Sequence, residues 1–252
     1  MQRYFVPVDN WEDNKVSIGK DDAHHINRVM RLQPGDEIIC NHPDGKAARC
    51  SILVSEPDRI QAEIDEWLKE SVELPVNVTI AQGLPKSDKF ELVLQKGTEL
   101  GASGFIPVQA DRSVVVWDKK KAEKKLIRYT KIIKEASEQS HRNKKPQIHS
   151  LMSVKELVRE SSTYDIKIFA YEEEAKSEVY RSFGSIVNDM KLGDNVLVYI
   201  GPEGGVSDDE VHLLKENGFV AVRLGPRILR TETAPLYVLA SISYQFEELG
   251  CR

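Results

Sequence analysis

The 252-residue chain has no run of about 18 apolar residues, the length a membrane-crossing helix requires, so no such helix is expected. Its opening, Met1-Gln2-Arg3-Tyr4-Phe5-Val6-Pro7, lacks the basic-then-apolar plan of a secretory leader. It reads instead as a first strand, which gives the expectation of a cytoplasmic protein. Cysteine is scarce. Cys40, Cys50 and Cys251 form no C-x-x-C pair, which argues against a disulfide framework and suits buried thiols in a reducing compartment. His24-His25 is an adjacent pair whose rings leave a helix in different directions. No cluster at ligand spacing accompanies it, so no metal is expected. Repeats and low-complexity tails are also missing.

Net charge is small, −5 from 35 Lys/Arg and 40 Asp/Glu, yet it is unevenly placed. Between Arg112 and Lys145 twelve Lys/Arg stand against four acids, a local net of +8 that leaves −13 on the remainder. Such a face fits selective contact with phosphates or, equally on charge alone, a solvated helix flank. Leu126, Tyr129, Ile133 and Ala136 recur at helical spacing through this stretch. They predict a helix over about 119–140 whose apolar stripe faces the core and whose lysines face outward.

Two patterns divide the chain. Up to about residue 72, short strands (Arg3 to Val8, Glu37 to Asn41, Ala47 to Ser55, Arg59 to Trp67) surround one helix, Asp21 to Leu32. His42-Pro43-Asp44-Gly45-Lys46 carries an Asp-Gly hairpin signal, and the whole suggests a small β-barrel. After a linker near Lys69 to Pro75, short apolar strands alternate with helices: Val76 to Ala81, Phe105 to Val108, Ile166 to Tyr171, Val196 to Ile200 and Val220 to Leu224. That alternation predicts an α/β domain over 73–252 with a mostly parallel sheet covered on both faces. Ser153-x-x-Glu156 and Ser207-x-x-Glu210 match capping boxes, Gly218 suits a helix end, and Pro235 suits a first helical turn.

The chemistry concentrates in two loops. Gly201-Pro202-Glu203-Gly204-Gly205 follows one apolar strand, and Leu224-Gly225-Pro226-Arg227-Ile228-Leu229-Arg230-Thr231-Glu232-Thr233-Ala234 follows another. Alone, the first is a structural turn or an anion loop ahead of a capped helix. It lacks the Gly-Lys-Ser/Thr ending of a Walker phosphate loop, which disfavours a nucleotide hydrolase. Together, two bent loops at adjacent strand ends predict a pocket for an extended small ligand.

These two loops resemble those of the SPOUT methyltransferases, and in particular the bacterial enzymes that methylate N3 of a uridine in 16S ribosomal RNA. Arg3-Tyr4-Phe5, His24-His25-Ile26-Asn27-Arg28-Val29-Met30-Arg31, Gln95-Lys96-Gly97-Thr98-Glu99-Leu100-Gly101 and Glu135-Ala136-Ser137-Glu138-Gln139-Ser140 with Arg142 extend the match along the chain. His141 departs from it, standing where the family often has glycine. The resemblance implies an N-terminal PUA-like RNA-binding barrel (1–72) and a C-terminal domain (73–252) containing a trefoil knot. It also implies S-adenosylmethionine as methyl donor, a homodimer, and the small ribosomal subunit as partner.

On that footing, Ala170, Tyr171, Gly201, Glu203, Gly205, Leu224, Ile228, Leu229 and Arg230 are the expected donor-binding residues. Uridine N3 bears a weakly acidic proton, so a cation for the uridine anion and a carboxylate to take the proton are useful. Arg230 is the candidate cation, with Glu232 or Glu203 as acceptor. A helix cap for Glu232 and a loop brace for Glu203 are the structural alternatives. For RNA the candidates are Arg3, His24, Arg28, Arg31, Lys86, Lys89, Arg112 and Arg142, with His24, Arg28 and Arg31 expected on one helical face. A 2′-O-ribose methyltransferase of the same superfamily and a non-catalytic assembly factor are the competing readings.

Overall fold

A computed structural model describes residues 1–69, 71–171 and 182–250; Cys251 lies outside them. The chain folds as two compact units, one formed by Met1–Glu73 with Ser137–Lys145 and the other by Leu74–Ala136 with Pro146–Arg252.

In the first unit β1 (Arg3–Phe5), β2 (Trp11–Glu12), β3 (Lys15–Ile18), β4 (Glu37–Asn41), β5 (Ala47–Glu56) and β6 (Arg59–Leu68) form one sheet in the order β1-β4-β5-β6-β3-β2. Only β1 and β4 run parallel. Tyr4, Ile18, Ile26, Ile38, Cys40, Cys50, Ile52 and Ile60 fill its core. The helix expected over 21–32 is not a single α-helix. It starts as α1 (Lys20–His24), widens to a π-helical turn over His25–Met30, and ends with Arg31 in the left-handed region at φ 57°. Bonds from residue i to i+5 rotate the side chains away from α spacing. The i, i+4, i+7 spacing of an α-helix therefore does not describe His24, Arg28 and Arg31, all three of which are exposed.

The second unit is a parallel sheet of β7 (Asn77–Gly83), β8 (Gly104–Gln109), β9 (Gln147–Ile148), β10 (Met152–Ser153), β11 (Ile166–Ala170), β12 (Asn195–Ile200) and β13 (Val220–Val222). The order is β10-β8-β7-β12-β11-β13, with β9 also on β8. Its helices are α2 (Lys89–Glu99), α3 (Lys119–Gln139), α4 (Val154–Glu160), α5 (Phe183–Asp189), α6 (Asp208–Glu216) and α7 (Ala234–Ser243). Two-residue periodicity sends Val78, Ile80, Val196, Val198 and Ile168 into one core and Ala81, Leu197, Tyr199 and Phe169 into another. Both faces are covered, as near-continuous apolar strands require. No helix among the described residues is long and apolar enough to cross a membrane.

Local signals act as the sequence suggests. Both capping boxes form, at Ser153–Glu156 and Ser207–Glu210. In α3 Tyr129, Ile133 and Ala136 are buried, Leu126 is half-buried, and most of the lysines are exposed. Three helices close with Schellman hydrogen bonds. Two of them place Gly101 and Gly218 in the left-handed position after α2 and α6. The third, after α3, places His141 there at φ 59°, with Arg142 N–H donating to the Ser137 carbonyl at 2.9 Å. That backbone position favours glycine, the residue the family resemblance supplies.

Candidate active site

In a parallel sheet all strand ends of one kind lie on one edge, and ligand loops gather at the carboxyl ends. Here that edge carries the ends of β7, β12, β11 and β13 and the loops that follow them. The two bent loops follow β12 and β13, which are not neighbours, because β11 lies between them. The expected adjacency is thus replaced by a specific link. Gln82, fully buried at the end of β7, donates through Nε2 to Thr231 Oγ1 at 2.8 Å, and Thr231 Oγ1 donates to the Gly201 carbonyl at 2.7 Å. One buried hydroxyl therefore ties the second loop to the first and both to the central strand.

Glycine is required where these segments meet. A Cβ at Gly83 would lie 2.5 Å from the Pro202 nitrogen, so β7 can pack on the first loop only without a side chain. Gly205 closes the loop at φ +75°, its N–H donating to the Pro202 carbonyl at 2.9 Å.

The second loop has an open backbone. The β13 ladder stops at Val222, two residues earlier than the sequence pattern suggests, and Arg223 Nε turns to the Gly225 carbonyl at 2.7 Å. Among the described residues, the N–H groups of Leu224, Gly225, Arg227, Ile228, Leu229 and Arg230 donate to no protein acceptor. Leu224 is buried, Leu229 half-buried and Ile228 exposed. Ala170 and Tyr171 continue from β11 beside this loop, Tyr171 N–H donating to the Val222 carbonyl at 3.0 Å.

Charged groups assemble around the first loop. Lys89 Nζ, at the start of α2, lies 2.9 Å from Glu203 Oε1 and 3.2 Å from Glu232 Oε2. One ammonium thus bridges a carboxylate from each loop. Glu203 also accepts the Lys86 N–H at 3.1 Å. Burial pushes the Glu203 carboxyl up, but the Lys89 hydrogen bond and backbone N–H donors outweigh it and leave it below its usual range. Lys89 is held above its ordinary value, chiefly by its hydrogen bond to Glu203. Arg112 lies against Gly204 and 3.9 Å from Asp208. The Arg230 side chain is exposed, while its carbonyl accepts from Thr233 and Ala234 N–H as α7 begins.

The sequence candidates separate accordingly. Lys86, Lys89, Arg112, Glu203, Arg230 and Glu232 belong to the second unit, and Arg3, His24, Arg28, Arg31 and Arg142 to the first. His24, Arg28 and Arg31 are exposed. Arg142 is not. Its side chain is 5% exposed, its Nε donates to Glu73 Oε2 at 3.1 Å, and its carbonyl accepts from Asn41 Nδ2 at 2.9 Å. Glu73 further accepts Asn143 and Lys144 N–H, so Arg142 is a structural cation that locks residues 142–144 in place. Arg3 donates to Asn143 Oδ1 at 2.6 Å within the same cluster. Gln82 and Glu73 are the residues that sequence reasoning missed. The one signal for Gln82 is a polar side chain ending an otherwise apolar strand.

Known proteins bear out this architecture. A family model described as an RNA methyltransferase domain matches residues 72–243, and one described as an RNA methyltransferase PUA domain matches residues 18–65. The ribosomal RNA small subunit methyltransferase E of Bacillus subtilis is 47% identical over 252 residues, covering 99% of this chain and 98% of the relative. The protein of that description from Mycobacterium bovis is 33% identical, covering 88% of this chain and 83% of its own. A crystal structure of the Neisseria gonorrhoeae ribosomal RNA small subunit methyltransferase E bound to S-adenosyl methionine superposes with a TM-score of 0.84 at 32% identity, covering 98% of both chains. With its two loops joined through Thr231 at the carboxyl edge of a parallel sheet, the chain belongs to the ribosomal RNA small subunit methyltransferase E family of RNA methyltransferases.

Proposed function

We propose that the chain methylates N3 of a uridine in the 16S RNA of the small ribosomal subunit, using S-adenosylmethionine. The observation that carries this is the pair of loops bound together by Thr231, one of which presents a row of backbone N–H groups that have no acceptor among the described residues. Those groups fit an extended ligand that carries an adenine ring, a ribose and an amino-acid end, each with hydrogen-bonding atoms. Leu224 and Leu229 offer the apolar surface for a purine, with Ile228 at the rim. Gly201, Gly205, Ala170 and Tyr171 complete the walls. When bound, S-adenosylmethionine supplies a methyl group on a sulfonium, which is already a good leaving group.

The protein's remaining task is to align the base and make N3 a nucleophile. Arg230, exposed beside the anchored Thr231, stabilises the negative charge on the uracil ring as the N3 proton leaves. Glu232 takes that proton. Glu203, engaged by Lys89 and the Lys86 N–H and depressed in basicity, braces the first loop. Lys89 positions both carboxylates. Lys86, Arg112 and the outer face of α3 meet RNA phosphates from the second unit; Arg3, His24, Arg28 and Arg31 do so from the first. Arg142 leaves this set because its charge is used internally.

The reading includes three finer features carried by family resemblance: a trefoil knot threading the donor loops, a closed PUA-like barrel over 1–72, and a homodimer. Methyl transfer from labelled S-adenosylmethionine to small subunits lacking the modification, followed by nucleoside analysis, tests the reaction. The expected product is 3-methyluridine. A 2′-O-methylated nucleoside would replace the proposal with ribose methylation, and donor binding without transfer to any RNA would refute it.

A further inference from the structure

Two of the chain's three tryptophans meet on the surface of the N-terminal unit. Trp11 lies on β2 and Trp67 near the end of β6. Their rings stack with centroids 5.5 Å apart and planes 20° from parallel. His42, just after β4, sets its ring edge-on to both, at 5.1 Å from Trp11 and 6.4 Å from Trp67.

The two indoles are treated differently. Trp11 is held from behind, its Nε1 donating to the Val6 carbonyl at 3.2 Å and its ring packing on the core of the unit. Trp67 rests on Trp11 and remains 46% exposed. Tryptophan is highly buried on average, and its large rigid ring recurs where one face must meet a partner. A fixed ring with a second ring half in water above it is a platform.

The surroundings select the occupant. The adjoining hairpin carries His42 and Lys46, whose side chain is 69% exposed, and the Lys144 stem lies against Gly45 at its tip. Lys145 sits 5.3 Å over the Phe5 ring. Asp44 pairs with His42 and Lys46, and Glu66 with Arg49. An aromatic face beside cations is suited to a nucleotide, with the base on the indole and the phosphate toward the ammonium groups. An apolar peptide segment would make no use of the exposed ammonium groups of Lys46 and Lys144. Both tryptophans lie outside residues 18–65, so the stack is no part of what the PUA match carries.

We propose that the exposed face of Trp67, backed by Trp11 and framed by His42 and Lys46, is a stacking site for one unpaired nucleobase of the RNA substrate. The site rests on the reading of the chain as an RNA-modifying enzyme and adds a sequence-tolerant hold within the N-terminal unit, because every base has a π-face.

The test uses the full-length chain and a single-stranded oligouridylate of about ten nucleotides. Tryptophan emission reports stacking, and binding is read independently by anisotropy of the labelled oligonucleotide. Trp117, the third tryptophan, is only 8% exposed and contributes a steady background. Saturable quenching is expected. Trp67→Ala should weaken binding about 5- to 150-fold, the range of one base–aromatic stack, and remove most of the quenching. Trp67→Phe should retain most of the affinity, which a purely structural defect would not allow. Unchanged S-adenosylmethionine affinity in both variants shows that the methyltransferase unit is intact. Wild-type oligonucleotide affinity in Trp67→Ala overturns the stacking site, and methyl transfer by that variant would leave the enzymatic reading standing. If the wild-type chain methylates no RNA but the quenching and its loss in Trp67→Ala persist, the enzymatic reading falls and the stacking site stands.

Discussion

Replacing Thr231 by valine keeps shape and volume and removes one hydroxyl. That hydroxyl accepts from Gln82 Nε2 at 2.8 Å and donates to the Gly201 carbonyl at 2.7 Å, in a residue only 8% exposed. Gln82 is fully buried, and its Oε1 already has no hydrogen-bond partner among the described residues. Valine therefore deprives a buried amide of one acceptor and a carbonyl of its donor. Leaving a buried polar group unsatisfied costs about 1–3 kcal/mol. The bond from Gln82 to the Gly83 carbonyl at 3.2 Å survives, so the lower part of that range applies to the amide. A total near ~2 kcal/mol corresponds to a fall of about 4–8 °C in the melting temperature of a unit this size. Because the same hydroxyl sets the spacing of the two loops, S-adenosylmethionine binding by calorimetry should weaken at least about tenfold, equivalent to ~1.4 kcal/mol. The double replacement Gln82→Leu, Thr231→Val removes the orphaned amide and should recover part of the stability but none of the donor affinity. Wild-type stability and donor affinity in Thr231→Val would refute the link.

Other consequences follow from the same geometry. Arg230→Ala should lower kcat about 10²- to 10³-fold, the usual loss for one group stabilising developing charge, with donor affinity nearly unchanged; turnover close to wild type removes it from the mechanism. Lys89→Met separates two pH effects in thermal unfolding. Glu203 is depressed in the folded state, so its contribution is present above its ordinary value of 4.5 and lost as pH falls through the folded value. Lys89 is raised, so its contribution is present below its ordinary value of 10.5 and lost as pH rises through the folded value. The variant should show shallower losses on both limbs, and unaltered limbs would show the bridge to be inert. His141→Gly should stabilise the chain by about 0.5–1 kcal/mol, since the left-handed position costs about 1–2 kcal/mol for a side chain and glycine's unfolded-state entropy takes back part of the gain; a loss of stability on chemical unfolding would show that the imidazole makes a compensating contact.

The elements that the sequence revealed are those with local causes. Capping residues at Ser153 and Ser207, Gly218 after α6, and the periodic stripe of α3 each act within a turn or two of chain. The donor loops were legible because glycine and proline punctuate long apolar strands. Two-residue strands such as β2, β9 and β10 show no period and could not be read. What decides the roles of charged residues is distant in sequence. Arg142 looked like a surface cation until Glu73, 69 residues away, was seen to hold it. Lys89 looked like a phosphate contact until Glu203 and Glu232 were found on either side of it. The π-helical turn over His25–Met30 follows no pattern that helical periodicity detects.

The most direct test of the donor site is amide hydrogen exchange of the full-length chain with and without saturating S-adenosylmethionine. Among the described residues the N–H groups of 224, 225 and 227–230 have no protein acceptor, so they should exchange rapidly in the free chain. Donor binding should slow exchange across 224–230 and 201–205 together, because Thr231 couples the two loops. Saturated binding with no added protection in 224–230, or with protection confined to another edge of the sheet, would contradict the placement of the methyl donor.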